Sequence, residues 1–153
     1  MLTEGDVAPD FELVDGDGKT WRLVDLKGKK VVLYFYPADD TPGCTKEACD
    51  FRDTQGAWRD AGYVVLGVSP QDAASHTRFA SKFDLNFPLL VDADLEVAKR
   101  YGALREKPEE WEGQRLHVKR CTFVIGEDGH IEQALYGVQA KGHVESLRVT
   151  LGV

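Results

Sequence analysis

Cys44 and Cys49 stand five positions apart at the end of the run Pro37-Ala38-Asp39-Asp40-Thr41-Pro42-Gly43-Cys44-Thr45-Lys46-Glu47-Ala48-Cys49. The run follows directly on the apolar stretch Val31-Val32-Leu33-Tyr34-Phe35-Tyr36. That stretch reads as a strand, Thr41-Pro42-Gly43 as a turn, and the residues from Thr45 as a helix. Cys44 therefore falls at a helix start, beyond the carboxyl end of a strand, where sites in open α/β sheets gather. A thiol at a helix N-terminus is biased toward thiolate, the nucleophilic form. A second thiol close by can capture whatever the first becomes, and the two together point to redox chemistry at sulfur. Ionisation alone is a limited help. Lowering a thiol pKa from ~8.5 to about 6 raises the thiolate fraction at pH 7 roughly 30-fold, and a lower pKa also weakens the nucleophile. Attack on an oxidised substrate needs donors aimed at the leaving oxygen. The Thr41 hydroxyl, the amides of Gly43 and Cys44, and an arginine brought from elsewhere are the candidates.

The spacing carries a second message. Residues five apart on a regular helix differ by about 7.5 Å in rise and ~140° in rotation, which puts their Cα atoms ~9 Å apart. A disulfide needs them within about 7 Å. The sequence thus predicts two states: reduced and helical, or oxidised with the first turns unwound. Competing uses of the cysteines fit less well. A buried cysteine is often only a small hydrophobe, and Cys49 on a helix face could be one. Structural zinc favours C-x₂₋₄-C pairs and four ligands, whereas the spacing here is Cys-x₄-Cys with no second close pair. His76, His117, His130 and His143 are scattered and read as surface or satisfied histidines, so no metal and no cofactor is expected. The Cys-x-x-Cys of a disulfide-exchange centre is absent. Asp15-Gly16-Asp17-Gly18 tempts a calcium-loop reading, but Lys19 and Leu26 occupy positions that need oxygen ligands.

The elements that must position these thiols follow from patterning. Phe11–Val14 and Trp21–Val24 flank a glycine-rich turn and read as a β-hairpin. Central strands are predicted over Val31–Tyr36 and Tyr63–Ser69, and a short edge strand over Phe87–Val91. Helices are predicted over Thr45–Asp60 with a weak point at Gly56, over Gln71–Phe83 started by Pro70, over Asp94–Tyr101 and over Gly142–Leu151. Ala103–Gln114 reads as a charged surface loop, Leu116–Ile125 as one strand, and Ile131–Val138 as its hairpin partner across Asp128-Gly129. The order implies a mixed-sheet α/β fold in one domain spanning residues 1–153, with helices on both faces.

Composition limits the function classes. The chain has 153 residues, 42% of them apolar, and a formal charge of −7 from 19 basic and 26 acidic residues. An acidic chain without a basic run is a poor candidate for nucleic-acid binding. No signal-peptide pattern and no stretch of membrane-spanning length is visible. Three cysteines, an odd number, do not suggest a secreted disulfide scaffold. A cytoplasmic protein is the expectation.

The run Pro37-x-x-x-Thr41-x-x-Cys44 resembles the active-site signature of peroxiredoxins. Thr41 through Cys49 is similar to the bacterioferritin comigratory protein, or Q-type, subfamily. Val7-Ala8-Pro9-Asp10-Phe11 resembles the family's N-terminal region, Arg120-Cys121-Thr122-Phe123-Val124-Ile125 its arginine-bearing strand, and Lys141-Gly142-His143-Val144 its last helix. The resemblance implies a thioredoxin-like fold and thiol-dependent reduction of hydrogen peroxide and organic hydroperoxides. It implies Cys44 as the peroxidatic residue, which becomes a sulfenic acid, with Thr41 and Arg120 activating the thiolate and orienting peroxide. Pro37 shields the site, Gly43 belongs to the substrate-binding turn, and Cys49 resolves the sulfenic acid as an intramolecular disulfide. Thioredoxin or a similar dithiol protein is the implied reductant, and the protein is expected to act as a monomer. Cys121 departs from the family's small hydroxyl residue, and strand alternation should point it away from Arg120 as a buried bystander. Two other readings remain open at this point: a thiol-disulfide oxidoreductase, and a redox sensor or holdase that oxidises once and signals.

Overall fold

A computed structural model describes every residue from Met1 to Val153. In chain order the elements are β1 (Glu12–Val14), β2 (Thr20–Arg22), a 3₁₀ turn over Leu23–Leu26, β3 (Lys30–Phe35), α1 (Pro42–Asp53), α2 (Gln55–Asp60), β4 (Tyr63–Ser69), α3 (Ala73–Lys82), β5 (Leu89–Val91), α4 (Glu96–Arg100), β6 (Leu104–Trp111), β7 (Gln114–Val118), β8 (Cys121–Ile125), β9 (Ile131–Tyr136) and α5 (His143–Leu151). Five strands make the central sheet in the order β5-β4-β3-β8-β9. β3, β4 and β5 are parallel neighbours, and β8 and β9 extend the sheet antiparallel from β3.

β3 is central because its residues are apolar on both faces. Val31, Leu33 and Phe35 belong to one buried cluster, and Val32, Tyr34 and Tyr36 to another, as the period of two in a strand requires. Complete burial of a Leu or Phe side chain is worth about 1.5–3 kcal/mol, so this one strand is a large share of the core. Val97 and Ala98 of α4 pack into the first cluster, together with Ala8 and Phe11. Ala48 and Phe51 of α1, Trp58 of α2, Phe79 of α3, and Val144 and Leu147 of α5 fill the second. The result is the mixed α/β, thioredoxin-like fold with helices on both faces and an N-terminal hairpin, β1-β2. No helix is long and apolar enough to cross a membrane.

Four sequence expectations need correction. The supposed loop Ala103–Gln114 is mostly β6, which pairs with β7 as a separate two-stranded ribbon. Most of β6 is exposed, so it lacks the apolar alternation by which strands are recognised, and its register shifts between Leu104 and Glu109, around Pro108. The supposed single strand Leu116–Ile125 breaks at Lys119-Arg120 and serves two sheets. The helix expected over Thr45–Asp60 begins at Pro42 and breaks at Thr54 rather than Gly56. There the Thr54 hydroxyl donates to the Asp50 carbonyl at 2.8 Å, a back-bond that competes with the helical ladder. Finally, Pro70 does not start α3. Asp72 does, as an N-cap accepting from the Ser75 amide at 2.9 Å, which is the commoner solution for an open helix end.

Candidate active site

β3 delivers the chain to the loop Tyr36–Thr41, and Thr41 then leads into α1 with Pro42 in the first helical turn, a position where its missing N–H costs nothing. Cys44 lies in that turn, with only 1% of its surface exposed. The bend between β7 and β8 turns the Arg120 side chain toward it, and Arg120 Nη2 donates to Cys44 Sγ at 3.4 Å. Arg120 Nη1 donates to Glu47 Oε1 at 2.7 Å. Glu47 is three residues beyond Cys44 and so shares its helix face. One guanidinium therefore faces both a thiol and a carboxylate.

Burial sets the electrostatics. The Glu47 side chain is fully buried and that of Arg120 is 15% exposed. Burial pushes Glu47 up to about 7, and Arg120 only partly pulls it back. Glu47 Oε2 has no hydrogen-bond partner. For Arg120, burial works against the charge, but Glu47 and Cys44 outweigh it and hold its pKa above the ordinary value. Nearby, His143 is lowered, first by burial and then by Arg120, and its Nε2 meets the Thr122 hydroxyl at 2.8 Å.

At Gly43 a side chain would displace the Arg120 guanidinium rather than any backbone. A Cβ there would lie 2.9 Å from Arg120 Nη2, inside the contact distance of the group that reaches Cys44. Thr41 is buried, its hydroxyl donates to the Ala38 carbonyl at 2.9 Å, and its oxygen accepts no cap bond from the helix amides. That leaves the oxygen's lone pairs, not its proton, for a further partner, which changes the donor role expected from the sequence. Pro37 is half-buried, and its carbonyl accepts from Gln71 Nε2 at 3.3 Å. Cys49 is half-buried on the same unbroken helix as Cys44, and all three cysteines are free thiols. Cys121 is buried on the other face of the sheet, in the cluster of Phe35 and Phe123, and burial raises its pKa.

Thus Cys44, Arg120 and Gly43 meet at one point, Thr41 borders it, and Cys49 lies further along α1. Sequence reasoning missed Glu47. Its one signal was a carboxylate on the helix face of Cys44, Ala48 and Phe51, a face that otherwise enters the core. His76 and His143 are satisfied core histidines, each hydrogen-bonded inside the protein.

A buried thiol held by a guanidinium at a helix start, on a thioredoxin-like sheet, fits a thiol-based redox enzyme. Comparison with known proteins agrees. Residues 5–134 match the model of the AhpC/TSA family. The chain is 40% identical over 147 residues to peroxiredoxin Bcp of Bacillus subtilis, covering 96% of this chain and 93% of the relative. It is 54% identical over 151 residues to the chloroplastic peroxiredoxin Q of Triticum aestivum, covering 97% of this chain and 66% of the relative. Among solved structures, peroxidoxin BcpB of Mycobacterium tuberculosis matches with a TM-score of 0.86 at 35% identity, covering 99% and 97% of the two chains. A cysteine-to-serine mutant of Xylella fastidiosa PrxQ matches at 0.90 and 29%, covering 99% and 96%. The chain belongs to the AhpC/TSA family, as a peroxiredoxin of the Bcp/Q type, and is a thiol-dependent peroxidase.

Proposed function

We propose that Cys44 reduces hydrogen peroxide and organic hydroperoxides, that Cys49 resolves the product, and that a thioredoxin-like dithiol restores both thiols. The observation that carries this reading is the Arg120 donor on Cys44 Sγ, at the start of a helix that also carries Cys49. The Cys44 thiolate attacks one peroxide oxygen and the O–O bond breaks. Cys44 becomes a sulfenic acid, and the departing alkoxide or hydroxide takes up a proton as alcohol or water. Arg120 and the amides of the first helical turn stabilise negative charge as it moves onto the leaving oxygen. Thr41, its own proton engaged, accepts from the peroxide O–H and orients it. Pro37 and Gly43 shape the turn around the substrate. The Cys49 thiol then attacks the sulfenic sulfur, forming the disulfide and releasing water. A dithiol partner reduces that disulfide and is itself oxidised.

On intact α1 the two sulfurs cannot bond, so resolution requires the helix to unwind at its start. The helix end favours this: it has no side-chain cap and no acidic residue in its first turn, which leaves its opening amides without such partners. The scheme needs no second copy of the chain, since both redox thiols come from one, and a monomer is the form proposed.

Peroxide consumption with a thioredoxin system separates this reading from a sensor that oxidises once. Cys44→Ser is expected to abolish turnover. Cys49→Ser is expected to keep one round of oxidation, accumulate sulfenic and sulfinic acid at Cys44, and lose thioredoxin-coupled turnover. Full turnover in Cys44→Ser would refute the assignment.

A further inference from the structure

The loop that presents Cys44 is fastened to α3 by a buried charged cluster. Asp39 Oδ1 accepts from the Tyr36 hydroxyl at 2.6 Å. Asp39 Oδ2 accepts from the Ser75 hydroxyl at 2.8 Å and is hydrogen-bonded to His76 Nδ1 at 2.6 Å. His76 Nε2 donates to the Leu90 carbonyl at 2.8 Å, tying the cluster to β5. The side chains of His76 and Asp39 are 0% and 4% exposed. Gln71 holds the loop from a second side: its Oε1 accepts from the Asp39 amide at 3.1 Å, and its Nε2 donates to the Pro37 carbonyl. One residue on, Asp40 stands at φ 60°, a left-handed conformation that costs a non-glycine residue energy and persists only when its surroundings impose it. Its carboxylate pairs with Lys82 at 2.8 Å.

Beyond Asp40 the support changes character. The Thr41 hydroxyl turns back to Ala38, and the first helical bond is an ordinary one, Thr45 N–H to the Thr41 carbonyl at 2.8 Å. A strongly held loop thus adjoins an uncapped helix end.

We propose that Asp39 and His76 are a positioning pair that fixes the hinge of the active-site segment. Residues 36–39 stay on α3 while unwinding runs from Thr41 through Cys49. This rests on the reading of Cys49 as the resolving thiol. The argument is one of relative strength. Hydrogen bonds to ionised groups are roughly twice as strong as neutral ones, and removing one partner from a buried charged cluster leaves the other stranded. Rearrangement therefore begins at the uncapped helix end, where the first bonds are neutral, and breaks the Arg120–Glu47 pair only as it passes Glu47. In the reduced state the same pair holds Asp40 in its strained geometry and returns Thr41 and Cys44 to one position after each cycle.

Hydrogen exchange on the full chain, reduced and after peroxide treatment, tests the hinge. Peptide mapping comes first: absence of a Cys44–Cys49 disulfide overturns the resolving role, and this proposal with it. With the disulfide present, the expected result is lost protection at the Thr45 to Cys49 amides and retained protection at the Tyr36, Asp39 and His76 amides. Loss at both places overturns the hinge while leaving the peroxidase reading intact. His76→Gln is expected to slow Cys44 oxidation at least about 10-fold by misplacing the reacting groups. Lys82→Ala, an exposed ion pair, should change it less than about 2-fold. A folded His76→Gln protein that oxidises at the wild-type rate overturns the positioning role. Should that variant not fold, Ser75→Ala removes one donor, keeps the Asp39–His76 pair and gives the same readouts at smaller amplitude, with an unchanged rate and unchanged Tyr36 and Asp39 exchange counting against the proposal.

Discussion

Cys44 and Cys121 are almost equally hidden, at 1% and 0% exposure, and lie on opposite faces of one sheet. Cys121 even follows Arg120 in the chain, yet Arg120 lies in the bend before β8 and its guanidinium goes to the other face, where it reaches Cys44. Cys121 is left among Phe35, Tyr101 and Phe123, where burial raises its pKa and keeps it a thiol. Cys44 has a cation at hydrogen-bond distance and a helix start around it. Burial alone makes a cysteine inert. Burial beside a preorganised positive charge makes it a site, because the charge acts through a poor dielectric.

Removing the charge should erase the difference most completely. Arg120→Met takes away the donor to Cys44 and strands Glu47, and the second-order rate with peroxide should fall about 100-fold or more, in the range of a lost oxyanion donor. Stopped-flow measurement within ~3-fold of wild type would mean that Arg120 does not distinguish the two thiols. Gly43→Ala leaves all charges in place but pushes a methyl to 2.9 Å from Arg120 Nη2, so a loss of about 10-fold is expected from displacement alone.

Glu47→Gln probes the counter-charge through pH. Burial raises the folded-state pKa of Glu47 from 4.5 to about 7. A raised folded pKa means that the stability this group contributes is complete below about pH 4.5 and is lost as pH rises through about 7. Its loss is on the order of 3 kcal/mol at most. Denaturant melts from pH 4 to 8 should show that decline in the wild type and a flatter profile in Glu47→Gln. Cys121→Ala should do least, with peroxidase activity within ~2-fold of wild type and a stability cost of roughly 1 kcal/mol from a small cavity. A large activity loss in a stably folded Cys121→Ala protein would give that thiol a role its surroundings do not suggest.

Most of the fold was legible because its signals are local. Val31–Tyr36 announces a doubly buried strand, and Thr41-Pro42-Gly43 announces the approach to a helix, although that helix already begins at Pro42. β6 was not legible, since a two-stranded ribbon exposed to solvent has no apolar face to display. The break at Thr54 depends on a side-chain hydroxyl bonding four residues back, which competes invisibly with a more obvious glycine. Among the candidate site residues, Cys44, Thr41 and Cys49 are singled out by residue type and spacing. Arg120 became readable only through family resemblance, because its partners Cys44 and Glu47 lie 76 and 73 residues away. Glu47 was missed for the same reason, and the pairing of Asp39 with His76, 37 residues apart, was equally hidden: a buried polar group is recognised by its partner, and the partners are distant in sequence.

The packing of Trp58 has a practical side. This indole is fully buried, its ring 6.0 Å from that of Phe51 on α1 and its Nε1 hydrogen-bonded to the Thr54 hydroxyl. Phe51 is on the same helix as Cys44 and Cys49. The emission of a tryptophan follows the dryness and rigidity of its surroundings, so unwinding that reaches Phe51 alters the light that Trp58 gives. Trp21 and Trp111 are half-buried and supply a steadier background. If α1 unwinds as proposed, Trp58 is a built-in fluorophore beside the moving segment, and a change in its emission on peroxide addition is expected without a label.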